Sequence, residues 1–169
     1  MKTLWTPWRM GYILGEKPQG CLLCIKQQDP VEKDRENYIL YRGATCYIML
    51  NLFPYTNGHL MIAPYQHMAS LEQLDDRSLY EMMALTRVSV ATLSKALSPA
   101  GFNIGMNVGK VSGAGITDHL HMHVVPRWQG DVNFMSVFAG TRLIPEALDI
   151  TYDKLLPILT QEISTQGKT

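Results

Sequence analysis

Three of the five histidines of this chain alternate with apolar residues in the segment His-Leu-His-Met-His-Val-Val-Pro, residues 119–126. Side chains of a β-strand alternate between its two faces, so His119, His121 and His123 are predicted on one face of a strand. The apolar residues between them would pack on the other face, and the Val-Val-Pro ending favours an extended segment that stops at Pro126. Imidazoles act near neutral pH as nucleophiles, acids, bases or metal ligands. The segment is therefore where chemistry is expected.

Three interpretations of this row of imidazoles are open. A chance cluster on a solvated strand face would explain little, because the segment contains no other polar residue. A zinc ion held by all three would have to join the outer two, which lie about 13 Å apart in a strand that rises about 3.3 Å per residue. In nucleophilic catalysis, one imidazole attacks phosphorus while its neighbours bind the oxyanion and the leaving group.

The segment resembles the signature of the histidine triad (HIT) superfamily, His-φ-His-φ-His-φ-φ with φ apolar, whose members are nucleotide hydrolases and transferases. The resemblance implies that His121 attacks the α-phosphorus and forms a nucleotidyl-histidine intermediate, with no catalytic metal. It implies that His123 lies beside the phosphates. It also implies that His119 is structural, its backbone carbonyl orienting the imidazole of His121.

Two other segments extend the resemblance over most of the chain. Residues 51–64 resemble the family's ribose-binding strand, turn and return strand, which implies that Asn51 holds the ribose hydroxyls and that His59 lies near the triad. Residues 105–109 resemble the strand that brings an amide side chain to the phosphates, in the manner of the fragile-histidine-triad proteins. That role falls to Asn107.

A glycine-rich segment precedes the triad directly. Small residues let backbone N–H groups approach phosphate oxygens, and the alternative is a flexible hairpin loop whose glycines serve only its turns. The position beside the triad favours phosphate binding by Gly113, Ala114, Gly115 and Ile116. Many family members carry a Ser or Thr here, where this chain has Ala114 and Gly115. The backbone N–H groups of Gly115 and Ile116 are therefore predicted to replace a hydroxyl.

The residues after the triad, together with the Trp-Thr-Pro-Trp-Arg segment at 5–9, resemble the bacterial diadenosine tetraphosphate phosphorylase-like branch of the family. Trp128 is a candidate to stack on adenine, with a plain packing role as the alternative. Arg127 could attract the distal phosphates or pair with a surface carboxylate.

The Cys-Leu-Leu-Cys motif at residues 21–24 needs its own explanation. Two thiolates at this spacing can bind one zinc ion but need two more ligands, and a redox dithiol or a pair of ordinary buried cysteines are the alternatives. HIT relatives with this motif often bind structural zinc through two further histidines. The resemblance implies a closed site of Cys21, Cys24, His67 and His119 that does not touch phosphate.

Composition bounds the class of protein. A chain of 169 residues with 46% hydrophobic and 18% charged residues is most simply one folded domain, here residues 1–169. Fifteen basic and fifteen acidic residues argue against a nucleic-acid-wrapping protein. No signal peptide is recognisable, and no apolar run approaches the roughly 18 residues that cross a membrane. Three cysteines do not suggest a disulfide framework, so a cytoplasmic location is expected.

The elements that position these residues are predicted from periodicity and turn signals. The strands cover residues 38–41, 45–50, 59–63, 102–108 and 119–126, and residues 26–37 are expected to be a polar surface segment. Residues 1–20 form an aromatic arm with Trp5 and Trp8. Because helices do not alternate with strands, the fold is α+β with a mostly antiparallel sheet. The resemblance implies five strands, a long helix packed on the sheet, and a homodimer.

Two helices are predicted. The longer lies within residues 70–97 with Asp75 as its N-cap, and the second covers residues 145–166 with an interruption near Pro157. Residues at three- and four-residue spacing form the predicted core stripe of the long helix: Leu79, Met82, Thr86, Val90, Leu93 and Leu97.

The resemblance therefore predicts an enzyme, a nucleotidyl transferase or hydrolase of adenine nucleotides or dinucleotides, diadenosine tetraphosphate above all. Phosphate as acceptor would make it a phosphorylase and water would make it a hydrolase. One alternative is a general hydrolase of adenylyl conjugates such as phosphoramidates. Another is a nucleotide-binding signalling module with slow turnover.

Overall fold

The computed structural model describes residues 20–113, 115–131 and 146–166. The aromatic arm, Ala114 and the start of the predicted C-terminal segment at 145 lie outside these residues. In chain order the elements are α1 (Leu22–Gln28), a 3₁₀ turn (Val31–Lys33), α2 (Asp34–Asn37), β1 (Ile39–Arg42), β2 (Cys46–Leu50), β3 (Leu60–Pro64), a 3₁₀ turn (Leu71–Gln73), α3 (Asp76–Leu97), β4 (Gly101–Met106), a 3₁₀ turn (Lys110–Ser112), β5 (Met122–Arg127) and α4 (Leu148–Gln166).

The five strands form one antiparallel sheet in the order β1-β2-β3-β5-β4. The predicted α+β class and the five-stranded antiparallel sheet are confirmed. β5 lies between β3 and β4, which places His123 opposite Met61 on one side and Gly105 on the other. The catalytic candidate on β5 therefore has a neighbouring strand on each side.

One face of the sheet is covered by helices. α3 packs on β2, β3 and β5, and α4 packs on α3 and β1. Alternation along β2 sends Ile48 and Leu50 to this face, where they join a buried apolar cluster with Leu93 of α3 and Leu155 of α4. Tyr47 and Met49 point to the opposite face and form a second cluster with Leu23 of α1.

The long helix begins directly after its predicted N-cap, at Asp76, and the residues from 70 to 74 do not belong to it. Asp75 is its N-cap as expected, because its carboxylate accepts the backbone N–H of Ser78 at 2.7 Å. Residues 71–73 form a separate 3₁₀ turn instead of the first helical turn. The core stripe holds for Met82 and Leu93 but is wrong for Leu79, whose side chain in the first turn of the helix is 39% exposed.

Residues 26–37 lie mostly at the surface as the sequence predicts, but they are more regular than their polar composition indicates. They include the end of α1, a 3₁₀ turn and α2. Arg42 of β1 holds this region by donating to the carboxylate of Asp34 at 2.7 Å and to the backbone carbonyl of Gln27 at 2.6 Å. These helices are too short and polar to give a periodic signal.

The predicted interruption near Pro157 is also wrong, since α4 continues through this residue. A proline inside a helix removes one backbone hydrogen bond, which costs stability unless packing compensates. Leu155 and Leu159 on either side are fully buried in the core, so packing holds both adjacent turns. In the part of the chain that the structure describes, no helix is long and apolar enough to span a membrane.

Candidate active site and metal centre

The triad histidines are all buried, but their rings divide between two clusters. β5 starts at Met122, so the strand is shorter than predicted and only His123 lies within it. The residues before it leave the ladder because the N–H of Leu120 donates to the carbonyl of Met68, at 2.6 Å, beyond the end of β3. The ring of His121 packs against His123 at 4.6 Å between centroids, whereas the ring of His119 packs against His67 at 5.2 Å.

The imidazole of His121 has a defined hydrogen position. Its Nδ1 lies 2.8 Å from the backbone oxygen of His119, and a carbonyl oxygen can only accept. Nδ1 therefore donates, and Nε2 of the neutral ring keeps its lone pair. Burial lowers the pKa of His121 below its ordinary value, while the bond to the His119 carbonyl opposes the shift. The ring is neutral at neutral pH, and Nε2 is the nitrogen available to an electrophile.

A hydrogen-bond relay fixes the ring of His123. The backbone N–H of Tyr55 donates to Nδ1 of His59 at 3.1 Å, so neutral His59 carries its hydrogen on Nε2. That nitrogen lies 2.9 Å from Nδ1 of His123 and donates to it. The remaining hydrogen of His123 is therefore on Nε2, the ring nitrogen that faces away from His59.

Burial keeps both rings of the relay neutral. It lowers the pKa of His59 to about 3, with smaller effects from His123 and His121. It lowers the pKa of His123 to about 4, with a smaller effect from His121. The ring of Tyr55 covers the pair, with centroids 4.8 Å from His59 and 5.9 Å from His123.

Two amide side chains flank this histidine group, as the sequence predicts. Asn51, just after β2, lies 3.3 Å from His59 through its Nδ2, and its Oδ1 accepts the N–H of Phe53 at 2.9 Å. Nδ2 of Asn107, just after β4, lies 3.5 Å from Nε2 of His123, and because both nitrogens carry hydrogen this is a contact between two donors that an acceptor could share. The structure thus brings Asn51, His59 and Asn107 together with the last two triad histidines.

Gly58 lets the turn between β2 and β3 approach the long helix. Its φ is +72°, a conformation that favours glycine, and a Cβ atom there would lie 2.5 Å from the side chain of Leu97. The turn therefore lies against α3, and the next residue, His59, is fully buried directly before β3. A substitution at Gly58 would displace this imidazole.

The remaining predicted nucleotide-binding residues differ in burial and in what they contact. Gly113 and Gly115 are exposed, while half-buried Ile116 packs against the cluster of Met49 and Met61. The indole N–H of Trp128 donates to the carbonyl of Leu97 at 3.3 Å, which supports the packing alternative for this residue.

Arg127 is engaged by protein groups. Its guanidinium donates twice to the carboxylate of Asp131, at 2.5 and 2.8 Å, and once to Asn103 at 2.8 Å. This pairing supports the surface-carboxylate alternative over a role at the distal phosphates.

The second cluster has the geometry of a metal site. The ligand atoms of Cys21, Cys24, His67 and His119 all lie within 4.8 Å of one another. Nδ1 of His119 is 3.2 Å from Sγ of Cys21 and 3.3 Å from Sγ of Cys24, and Nδ1 of His67 is 3.3 Å from Sγ of Cys24. Tetrahedral zinc with bonds of about 2.3 Å to sulfur and about 2.0 Å to nitrogen sets such atoms about 3.5 Å apart. The four residues therefore fit a zinc ion.

Groups behind the ligands support this arrangement. Nε2 of His119 donates to the carbonyl of Pro64 at 2.9 Å, so its Nδ1 presents a lone pair to the two sulfurs. The carboxylate of Asp118 lies 3.9 Å from Nε2 of His67, which is beyond hydrogen-bond distance but places a negative charge beside the ring. Cys21 and Cys24 are only half-buried, unlike Cys46, which lies in the core. The alternative interpretation of this motif as two ordinary buried cysteines therefore does not agree with the structure.

Some participants were not identifiable from the sequence. Tyr55 acts through its backbone N–H, and Pro64 and Met68 act through their carbonyls, so residue type carries no signal for them. The position of Tyr55 inside the turn between Asn51 and His59 is the one hint that the sequence offered. Asp118, next to the first triad histidine, could have been proposed as a partner of a ligand histidine.

Comparison with known proteins defines the class. The family model of the HIT domain matches residues 32–130. The chain is 38% identical to the AP-4-A phosphorylase of Mycobacterium tuberculosis over 88% of this chain and 79% of that protein. It is 28% identical to an adenosine 5'-monophosphoramidase of Schizosaccharomyces pombe over 64% of this chain and 74% of that protein.

The fold agrees with these relatives. The crystal structure of a Zn-bound histidine triad family protein from Mycobacterium smegmatis matches with a TM-score of 0.67 and 25% identity, over 86% of this chain and 97% of that one. The chain belongs to the HIT family, as its triad predicts.

Proposed function

We propose that this HIT-family enzyme transfers the nucleotidyl group of an adenine dinucleotide, diadenosine tetraphosphate above all, through an intermediate on His121. The observation that carries the proposal is the 2.8 Å bond from Nδ1 of His121 to the carbonyl of His119, which leaves Nε2 with its lone pair. The 38% identity to a protein named AP-4-A phosphorylase supports the substrate.

In the first proposed step, Nε2 of His121 attacks the α-phosphorus. The bond from phosphorus to the bridging oxygen breaks, and its electron pair leaves with the departing nucleotide, ATP from diadenosine tetraphosphate. The phosphorylated ring is cationic, and the hydrogen bond from its Nδ1–H to the His119 carbonyl stabilises that charge. The proposed step uses no metal, because a neutral imidazole is itself a nucleophile.

The neighbouring groups bind the rest of the substrate in this proposal. Nε2–H of His123 donates to a phosphate oxygen, and His59 holds that hydrogen in place through the relay from Tyr55. Asn107 donates to the phosphates and Asn51 binds the ribose hydroxyls.

The loop before the triad completes the proposed site. Backbone N–H groups of Gly113, Ala114, Gly115 and Ile116 bind phosphate oxygens. Trp128 lies at the edge of the site, where its contribution is to packing.

In the second proposed step, an acceptor attacks the same phosphorus. When the acceptor is inorganic phosphate, one of its oxygens forms the new bond, the phosphorus–nitrogen bond breaks, and the electron pair returns to Nε2 of His121. The product is ADP. When the acceptor is water, the product is AMP and a proton is released.

Product analysis with diadenosine tetraphosphate, with and without inorganic phosphate, tests the proposal. ADP and ATP formed only with phosphate are expected from a phosphorylase. AMP and ATP regardless of phosphate would identify a hydrolase and overturn the choice of acceptor. Cleavage of adenosine phosphoramidate alone would favour the activity named for the yeast relative. Dinucleotide binding without turnover would favour the alternative function, a nucleotide-binding signalling module.

We propose that Cys21, Cys24, His67 and His119 hold a structural zinc ion, which would link α1 to the segment before β5. The donor set and the spacing support this. Elemental analysis should find one zinc per chain in the wild type and in His121→Gly. Cys24→Ser should lose the metal, and a Cys24→Ser protein that retains it would contradict the assignment.

We propose that the protein is a cytoplasmic homodimer whose small ligand is a nucleotide, with no membrane and no nucleic-acid partner. β4 is the last strand in the sheet order, and Ile104 on it is 47% exposed, which supports pairing of β4 with a second copy. The half-buried thiols of the zinc site suit a reducing compartment. Light scattering after size exclusion tests the dimer, and a monomer mass would overturn it.

A further inference from the structure

His119 takes part in both clusters at once. Its ring nitrogen Nδ1 lies 3.2 Å from Cys21 and 3.3 Å from Cys24, inside the metal cluster. Its backbone oxygen accepts the hydrogen of His121 Nδ1 at 2.8 Å, inside the candidate active site. His119 thus connects two features. Its ring belongs to the metal cluster, and its backbone carbonyl accepts the hydrogen bond that selects the tautomer of His121.

The backbone between the two clusters is held at few points. His119 is anchored by its ring, whose Nε2 donates to Pro64 at 2.9 Å. Leu120 is anchored by its N–H, which donates to Met68, the residue after the ligand His67. Both anchors therefore rest on the segment 64–68 that the metal cluster ties to α1. β5 itself starts only at Met122.

The direction of the His119 carbonyl depends on these anchors. A neutral imidazole can carry its hydrogen on either nitrogen, and the partner of one nitrogen selects the tautomer. If the carbonyl turns away from Nδ1 of His121, nothing keeps the hydrogen there, and the tautomer with hydrogen on Nε2 has no lone pair to attack with.

We propose that Cys21, Cys24 and His67 are positioning residues that act through His119 on the nucleophile, so that a filled four-ligand cluster holds His121 in its reactive tautomer. The metal site then serves catalysis as well as stability, although it touches no substrate. This inference rests on the proposed role of His121 in nucleotidyl transfer.

The test uses three substitutions in the full-length protein. His67→Ala leaves three ligands, while His67→Cys restores four in a set that zinc also accepts. Gln66→Ala changes the exposed neighbour of the ligand and serves as a matched control. Each variant is measured for zinc content, for kcat and KM with diadenosine tetraphosphate, and for the hydrogen position on His121 by ¹⁵N NMR of its ring.

The expected results separate positioning from simple folding. His67→Ala should lose zinc, lose about tenfold or more in kcat with KM changed less than about twofold, and show hydrogen on Nε2 of His121. His67→Cys should retain zinc, most of kcat and the wild-type tautomer, and Gln66→Ala should match the wild type. A folded, zinc-free His67→Ala with wild-type kcat and tautomer would overturn the proposal.

Two further measurements cover a variant that fails to fold. A chelator removes zinc from the wild type at a temperature where circular dichroism shows the fold intact, and added zinc should restore both kcat and tautomer. A zinc-bound, folded His67→Cys with kcat as low as His67→Ala would also overturn the proposal. If the wild type cleaves no dinucleotide, the proposed function fails, but the ¹⁵N spectrum still decides the coupling between cluster and tautomer.

Discussion

The two faces of the sheet are both buried, but different forces bury them. On the helix side, Ile48, Ile62 and Val124 pack against aliphatic residues of α3 and α4. On the opposite side, beside the apolar cluster of Tyr47 and Met49, lies a histidine group of His59, His121 and His123, which is buried although each ring carries two nitrogens. In the described part of the chain every buried side-chain nitrogen and oxygen has a hydrogen-bond partner. Side-chain volume decides which residues fit the helix side, whereas the direction of hydrogen-bond donors decides which residues fit the histidine group.

The largest predicted effect is the loss of activity when a residue of the histidine group is removed. His121→Gly should lower kcat by about 10⁴-fold or more, since removal of a catalytic nucleophile costs that much in other enzymes. Nucleotide affinity, measured by calorimetry, and zinc content should stay close to the wild type. A variant that retains more than a small fraction of the dinucleotide cleavage would move the nucleophile to another residue.

Truncation of a core side chain should lower stability and leave activity unchanged. Leu93→Ala should lower the free energy of unfolding by about 2–5 kcal/mol, because Leu93 is fully buried between α3 and the sheet. Activity per folded molecule should not change. Leu79→Ala on the same helix, at a site that is 39% exposed, is the matched control and should cost well under half as much. Urea unfolding of both variants is the measurement, and equal losses would contradict the assigned core.

A smaller effect is expected from breaking the relay. His59→Leu keeps the volume but leaves the N–H of Tyr55 and Nδ1 of His123 without their partner, at about 1–3 kcal/mol for a buried unsatisfied group. We expect kcat to fall about tenfold because the hydrogen of His123 is no longer held on Nε2. His59→Gln, which can accept from Tyr55 and donate to His123, should recover part of the loss. Steady-state kinetics with Leu and Gln variants equally active would argue against the relay.

The smallest expected effect is on the pH dependence of stability. The pKa of His123 is about 4 in the folded protein, below the ordinary value near 6.5, so the unfolded chain binds more protons between these values. Stability therefore falls as pH is lowered from about 6.5 towards 4, and each such histidine contributes at most about 1.4 kcal/mol per pH unit. His59→Gln removes one of these buried histidines. The free energy of unfolding of this variant, measured with urea at pH 6 and at pH 5, should therefore change less between the two pH values than that of the wild type. An equal change in both proteins would mean that His59 is not held neutral.

The sequence predicted the strands and the helix-side packing because these leave local signals, whereas the candidate site residues came from the resemblance of three segments to the HIT family. Alternation along β2 and the alternation of the triad place side chains without any knowledge of distant contacts. The Cys-Leu-Leu-Cys motif alone left a zinc site, a redox dithiol and buried cysteines open, and the resemblance to HIT relatives supplied His67 and His119 as the two further ligands. Leu79 was misplaced because periodicity cannot show which turns of a helix are exposed.

What the sequence could not predict depends on long-range or backbone contacts. Arg42 orders α1 and α2 through groups earlier in the chain, so the polar composition of residues 26–37 hid two helices. The roles of Tyr55 and Met68 belong to their backbone atoms, which every residue shares. Arg127 has its partners in Asp131 and Asn103, and composition alone did not choose them over phosphate.

The metal cluster joins residues that are far apart along the chain, since Cys21 and His119 are separated by 98 positions. A chain emerging from the ribosome exposes the cysteines early, but His119 becomes available only after four of the five strands have been made. The complete four-ligand set therefore forms late in folding. Its bonds should slow unfolding more than they speed folding, because contacts absent from the transition state act on the unfolding rate. Zinc would then set the lifetime of the native state.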